Sequence, residues 1–268
     1  MRALITGAAS GIGRASCLRL ARDGQQQGTR TQLGLVDLVP TTGPSEALRT
    51  LMDELRVLGA EWHLVGADLA QPQDCERAVS ECVDRFGGLD ALISNAGINR
   101  IGKLVDYTVE DWDAVFAVNT RATWLLAKAA HAALAEASGA IVATSSMSGN
   151  YAHAGLGAYG PSKAAVSMLI RVLAQEFGRD GIRANAVSPG MTHTGMTRDV
   201  YADNAVAQAR AELVPLGRVA QPEDIADVIV MLLGPDARYI NGQDIIVDGG
   251  MTGNHLGRIP GLERITRS

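Results

Sequence analysis

The chain has 268 residues, 47% apolar and 20% charged, with a formal charge of −5. That length suits one large α/β domain or two small ones, and the composition excludes a disordered chain. The acidic balance gives no electrostatic footing for nucleic acid or an anionic membrane surface. No apolar run approaches a membrane span, and Met1-Arg2 leads at once into the strand-like ALIT, so neither a membrane anchor nor a signal peptide is expected and the location read is cytoplasmic. Cys17, Cys75 and Cys82 are far apart in helix-like stretches and read as reduced core thiols. The five histidines show no metal-ligand spacing, so no metal site is expected.

Short apolar runs recur along the chain at 3–6, 33–38, 62–69, 90–94, 140–146, 183–188 and 243–248. They are apolar on both faces, as strands buried between helix layers must be. The stretches between them have helical period. Gly24 and Gly59 read as helix stops, and Pro72 and Pro222 suit first helical turns. This alternation predicts a Rossmann-like, doubly wound parallel α/β sheet with helices on both faces, in a single domain over 1–268. QQQGTRTQ (25–32) reads as an added surface loop. A C-terminal extension over about 251–268 reads as a loose end or a segment docked on a partner subunit.

The first strand runs into Thr6-Gly7-Ala8-Ala9-Ser10-Gly11-Ile12-Gly13 and then a helix-like segment. Glycines here let backbone amides approach a pyrophosphate, and the helix N-terminus faces that anion. The spacing is G-x-x-x-G-x-G, not the commoner G-x-G-x-x-G. Asp37 closes the second strand, where a carboxylate would accept hydrogen bonds from both adenosine ribose hydroxyls and repel a 2′-phosphate. Ser10, not a basic residue, precedes Gly11. NAD is therefore expected over NADP.

A second cluster lies in AYGPSKA (158–164). Hydride transfer at a carbon requires a proton to leave or join the attached oxygen. A free tyrosine titrates near 10, too high for a base at neutral pH, and a neighbouring ammonium favours the phenolate. On a helix Tyr159 and Lys163 share a face, and Pro161 places them in a first turn.

With these motifs in order, together with Asp68-Leu69, Asn95-Ala96-Gly97, Asn119, Ser146 and Pro189-Gly190, the sequence resembles the short-chain dehydrogenase/reductase family, of the classical type, from Ala3 to about Met251. The resemblance implies a seven-stranded sheet and a homotetramer, or at least a homodimer. It places Gly7, Ser10, Gly11, Ile12, Gly13 and Asp37 on the cofactor, Asp68 and Leu69 on its adenine, and Asn95 and Gly97 beside its ribose. Pro189 and Gly190 would lie near the nicotinamide, with Thr194 on its carboxamide. Tyr159 would be the general acid/base and Lys163 would also hold the nicotinamide ribose. Ser146 would hydrogen-bond the substrate oxygen, with Ser145 and Ser148 as competing serines. Asn119 would hold a water linking Lys163 to solvent.

The family's substrate pocket is lined by the segments after the fourth, fifth and sixth strands. Here those offer Asn99, Met147, Asn150, His153, Met191 and His193, with a lid over about 191–213. The mixture suits a secondary alcohol such as a polyol, sugar or cyclic diol, oxidised with NAD. The alternatives are an NADPH-dependent carbonyl or ketoacyl reductase and a non-catalytic dinucleotide-binding protein.

Overall fold

The computed structural model describes residues 1–254. Its first half runs β1 (Arg2–Thr6), α1 (Gly11–Gln27), β2 (Gln32–Asp37), α2 (Glu46–Val57), β3 (Glu61–Gly66), α3 (Pro72–Phe86) and β4 (Ala91–Ser94). There follow α4 (Val109–Phe116), a π-helical turn (Ala117–Arg121), α5 (Ala122–Ala137), β5 (Ala140–Thr144), α6 (Met147–Asn150) and α7 (Tyr159–Glu176). β6 (Arg183–Pro189), α8 (Arg198–Tyr201), α9 (Asn204–Ala211), α10 (Pro222–Leu233) and β7 (Asp244–Val247) complete it.

The seven strands form one parallel sheet in the order β3-β2-β1-β4-β5-β6-β7. Because β4 returns beside β1, the chain winds outward in both directions from that pair. A crevice is left at the carboxyl ends where the direction reverses. The two faces carry separate apolar cores. Leu92, Leu126, Leu134, Ile141 and Ile170 are buried under α3, α5 and α7. Ile5, Leu33, Leu35, Ile93 and Ile229 are buried under α1, α2 and α10. Strands covered on both sides must be apolar at successive positions, which is why the runs were legible.

The connection to β2 differs from the expected loop. α1 continues through Gln25–Gln27 and ends at Gly28, which holds φ +63. The Thr29 amide closes the end on the Gly24 carbonyl at 2.9 Å. Gly24 is a buried helix-interior residue, glycine because a Cβ there would strike Thr31. Of residues 25–32, the first three are thus helical, 28–31 make the turn and Gln32 begins β2. Gly59, at φ +73, does follow the end of α2, and Pro72 and Pro222 do open helices. The three cysteines are buried and free.

The segment expected as a lid contains two short helices, α8 and α9, and starts from a pinned base. Thr192 bridges Ala220, and the His193 amide donates to the Ala220 carbonyl at 2.9 Å. Of the expected C-terminal extension, Thr252 caps the Asp248 carboxylate (2.6 Å), and 255–268 lie outside the described residues. Among the described residues no helix is long and apolar enough to cross a membrane, and no cluster of side chains could hold a metal ion.

Gly34, in the middle of β2, lies directly beneath Cys82 of α3, where a Cβ would overlap the sulfur. Gly34→Ala is expected to destabilise the fold by about 1–3 kcal/mol through overpacking. Adding Cys82→Ala should recover part of that loss, because it removes the colliding atom. Urea unfolding of the two single variants and the double variant checks this, and strict additivity would contradict it.

Candidate active site

The crevice is built from strand ends. After β1 the chain turns through Gly7 (φ +67) and Gly11 (φ +53) into α1. A Cβ on Gly13 would meet the Gly7 carbonyl and lie 2.8 Å from Asn95 Nδ2, so helix and strand approach as closely as backbone permits. Ser10, the first residue before α1, makes no side-chain cap, and the first turn holds no acid. By contrast Ser45, Thr108 and Asp203 cap α2, α4 and α9. The α1 amides therefore face the crevice without a side-chain acceptor, which suits a bound pyrophosphate. Thr194 packs across this turn, its Cβ 3.3 Å from where a Gly11 side chain would begin.

Asp37 ends β2 beside the same turn. Its carboxylate accepts from the Ala9 amide (2.7 Å) and the Leu38 amide (2.8 Å). Arg14, in the first turn of α1, is paired with Glu54 at 2.7 Å. Asp68 accepts from the Ala70 amide at 3.0 Å and shapes the entry to α3, with Leu69 buried beside it.

Asn95 does something the sequence did not suggest. Its amide nitrogen Nδ2 donates to the Thr6 carbonyl (3.1 Å), and its Oδ1 accepts from Thr144 Oγ1 (3.1 Å). The Asn95 and Ala96 backbone amides both donate to Thr6 Oγ1 at 2.9 Å. Its side chain thus ties together the ends of β1, β4 and β5, leaving Gly97 as the open position beside it. A Cβ on Gly97 would lie 3.2 Å from Asn119 Oδ1 and 3.4 Å from Lys163 Nζ.

Asn119 sits in the π turn, which rotates it into the protein. Its Oδ1 accepts from the Ile98 amide (2.8 Å), and its Nδ2 donates to the Ile98 carbonyl (3.1 Å) and to Ser162 Oγ (3.0 Å). The backbone carbonyl of Asn119 accepts from Thr123 Oγ1 at 3.1 Å. Both donor protons of the side-chain amide are thus engaged within the protein. That amide anchors the segment after β4 and, through Ser162, the first turn of α7.

Tyr159 opens α7 at the rim of the crevice. Ser146, in extended backbone just after β5, presents its hydroxyl near enough to the phenol to favour the ionised form. Ser146 Oγ also accepts from the Ser148 amide at 3.1 Å. Of the competing serines, Ser145 points inward to the Lys163 carbonyl (2.9 Å), and Ser148 contacts His153 Nδ1 (3.4 Å). Lys163 Nζ lies over the Tyr159 ring, 5.8 Å from its centroid, and donates to the Thr144 carbonyl at 2.7 Å. Burial pushes the Tyr159 phenol up, and the nearby Ser146 hydroxyl only partly opposes it. Lys163, fully enclosed, is pushed down to about 8. In the ligand-free protein desolvation thus sets the direction of the shift at the phenol.

The substrate-side residues divide. Met147, Met191 and Asn99 are half-buried around the rim, and Asn99 Oδ1 is buried without a partner among the described residues. His193 packs against Tyr201, ring centroids 4.2 Å apart and planes tilted by 45°. His153 is exposed. Asn150 turns away: its Nδ2 donates to Ser188 Oγ (3.1 Å) and to Asp244 Oδ2 (3.0 Å), behind the site. Asp244, Ser167 and Ser188 were missed by reading the sequence. The only signal was the polar residue within the otherwise apolar AVSMLI (165–170) and the acid that starts β7 in QDIIVD (243–248).

Gly190 meets β7 closely, since a Cβ would lie 2.6 Å from Asp248 Cβ, and its amide donates to the Val247 carbonyl at 2.9 Å. With Pro189 it forms the turn on the far side of the crevice.

A family model described as "Enoyl-(Acyl carrier protein) reductase" matches residues 7–252. The chain is 34% identical to the 3-oxoacyl-[acyl-carrier-protein] reductase FabG of Staphylococcus aureus over 93% of its own length and 97% of the relative's. It is 33% identical to an L-rhamnose 1-dehydrogenase (NAD(P)(+)) of a Sphingomonas species, covering 92% and 94%. A short-chain dehydrogenase of Burkholderia cenocepacia in complex with NADP superimposes with a TM-score of 0.83 at 35% identity, over 94% of this chain and 97% of that one. The chain belongs to the classical short-chain dehydrogenases/reductases, and it is an oxidoreductase of that family.

Because Lys163 is pushed down to about 8 from 10.5, the folded protein binds fewer protons than the unfolded chain between those pH values. The penalty for a buried ammonium is complete below about pH 8 and is relieved as pH rises toward 10. Relative to Lys163→Met, the ligand-free protein should therefore gain about 2–3 kcal/mol of stability between pH 7 and 10. Urea titrations across that range measure it, and a pH-independent difference would contradict the buried charge.

Proposed function

We propose that the protein oxidises a secondary alcohol with NAD, Tyr159 acting as general base in that direction and general acid in reverse. The observation that carries this reading is Lys163 Nζ set over the Tyr159 ring, 5.8 Å from its centroid, with the Ser146 hydroxyl beside the phenol at the switch-point crevice. A nicotinamide bound there supplies the hydride acceptor and, when oxidised, a positive ring. Ser146 holds the alcohol oxygen and Tyr159 takes its proton. Lys163 supports the phenolate and holds the nicotinamide ribose, while Asn119 fixes the surrounding backbone.

The cofactor fits the residues present. The uncapped α1 turn takes the pyrophosphate, Asp68 and Leu69 take the adenine, and Gly97 leaves room for the ribose. Pro189, Gly190 and Thr194 face the nicotinamide. Asp37 supports NAD because a 2′-phosphate would meet a carboxylate already held in place by two backbone amides, with Arg14 engaged by Glu54. NADP in the Burkholderia structure and NAD(P)(+) in the rhamnose dehydrogenase's name mark the competing reading.

A hydroxylated substrate is supported by Asn99, whose buried Oδ1 lacks a donor that a polyol or cyclic diol would supply. Met147 and Met191 provide an adaptable apolar wall. Reduction of a ketoacyl thioester is the second reading, favoured by the S. aureus relative. A homotetramer, or a homodimer, is supported by Trp112, Trp124, Met168 and Val172, exposed on α4, α5 and α7.

The test is reduction of NAD⁺ and NADP⁺ by xylitol, L-rhamnose and 1,2-cyclohexanediol, set against reduction of a 3-oxoacyl thioester. Alcohol oxidation with NAD⁺ preferred is expected, and thioester reduction alone with NADPH would overturn it. Tyr159→Phe should lower kcat by about 10²–10⁴-fold. Asp37→Ala should raise KM for NAD⁺ by about tenfold, through loss of a charged hydrogen-bond acceptor, and narrow the preference over NADP⁺. A variant at either position with unchanged kinetics would sink the role given to it.

A further inference from the structure

Behind the site, Asp244 at the start of β7 collects three donors. Ser188 Oγ donates to its Oδ1 at 2.6 Å, and Ser167 Oγ (2.7 Å) and Asn150 Nδ2 (3.0 Å) donate to its Oδ2. Ser188 and Ser167 are buried, and so is Ser145, whose Oγ lies 2.8 Å from Ser167 Oγ and 2.9 Å from the Lys163 carbonyl.

Counting protons fixes the direction of this network. Ser167 has one hydroxyl proton and three neighbouring acceptors: Asp244 Oδ2, Ser145 Oγ, and the Lys163 carbonyl at 3.3 Å. The charged and nearest acceptor takes it. The bond between Ser145 and Ser167 must then be donated by Ser145, which shares its proton with the Lys163 carbonyl. Ser188 likewise gives its single proton to Asp244 and accepts from Asn150 at 3.1 Å. Each hydroxyl has one orientation, and the carboxylate sets them all.

The four tethered residues are neighbours of the proposed chemistry. Ser145 precedes Ser146. Ser167 lies one helical turn beyond Lys163. Ser188 precedes Pro189-Gly190, and Asn150 ends the helix that begins at Met147. From this we infer that Asp244 is the positioning residue of the active site, holding Ser146, Lys163, the Pro189–Gly190 turn and the substrate loop in one arrangement through hydrogen bonds to the residues beside them. It touches no reacting atom itself. For its kinetic consequence, the inference rests on the hydride-transfer reading above.

An asparagine has almost the same shape as aspartate but offers one acceptor oxygen where three donors converge. Asp244→Asn must therefore reverse or release at least one tether. Ser167→Ala is smaller still and cuts only the branch to Ser145, leaving Asp244 with Ser188 and Asn150. Both variants are compared with the wild type in two measurements. Amide hydrogen exchange over 144–150 needs no substrate, and it should be at least about tenfold faster in both, with β1 and β2 peptides unchanged.

Oxidation of 1,2-cyclohexanediol by NAD⁺ is the second measurement. For both variants kcat should fall at least about tenfold, and for Ser167→Ala the KM for NAD⁺ should stay within about twofold. The acidic limb of kcat should move to higher pH, because a less firmly held Lys163 supports the phenolate less well. Exchange over 144–150 within about twofold of wild type overturns the proposal. So does faster exchange with unaltered kcat and pH limb, which would leave Asp244 a structural residue only. If Asp244→Asn does not fold, Ser167→Ala decides alone. Should the wild type turn over no alcohol, the hydride-transfer reading falls by itself, and exchange alone decides whether Asp244 holds the loop.

Discussion

Everything in the crevice hangs on the amide of Asn95. In a parallel sheet nothing in the ladder itself dictates where neighbouring strands stop, since hydrogen bonds repeat evenly along their length. Asn95 supplies that missing information. It bonds the Thr6 carbonyl on one side and Thr144 Oγ1 on the other, while Thr6 Oγ1 receives two backbone amides in return. The three strands end level with one another, so the glycine turn after β1, Gly97 after β4 and Ser146 after β5 face the same space. Thr144 then gives its carbonyl to Lys163 Nζ, so the clasp that aligns the strands also receives the buried ammonium.

A second fixed point comes from an irregular helix. A regular helix through 109–137 would carry Asn119 around with its 3.6-residue period. The π turn at Ala117–Arg121 inserts an extra residue and brings the Asn119 amide against both backbone groups of Ile98. The two elements that close on the crevice from this side, the segment after β4 and the first turn of α7, are thereby referenced to the same side chain through Ile98 and Ser162. Such irregularity in a helix is tolerated where it serves a site.

The sheet was legible in the sequence because burial on both faces leaves uninterrupted apolar runs, and the seven observed strands fall on the seven runs. The glycine turn was legible because few residues tolerate φ +67 and +53 there. Gly24 misled because a glycine required for packing against Thr31 looks the same as a glycine that stops a helix. The π turn was invisible because the apolar periodicity barely changes across one extra residue. Polar residues were hardest to place. Asn95 and Asn150 stand at element ends and Asn119 inside the π turn, places where an amide can serve ligand or backbone equally well, and only coordinates show that all three bond to the protein itself. Asp244 escaped notice because a lone acid at the start of a strand usually meets solvent.

The last strand has a further consequence for how the molecule is made. Synthesis runs from β1 toward β7, and the first six strands with their helices contain the nucleotide turn, the serine, the tyrosine and the lysine. Among the described residues β7 pairs only with β6 and contributes four residues to the sheet, yet it brings Asp244 to Ser167, Ser188 and Asn150. A nascent chain that has emerged as far as α10 thus contains most of the residues of both cores while its serine network still lacks the carboxylate. In the positioning role proposed for Asp244, the candidate site is completed only once β7 has been added to the sheet.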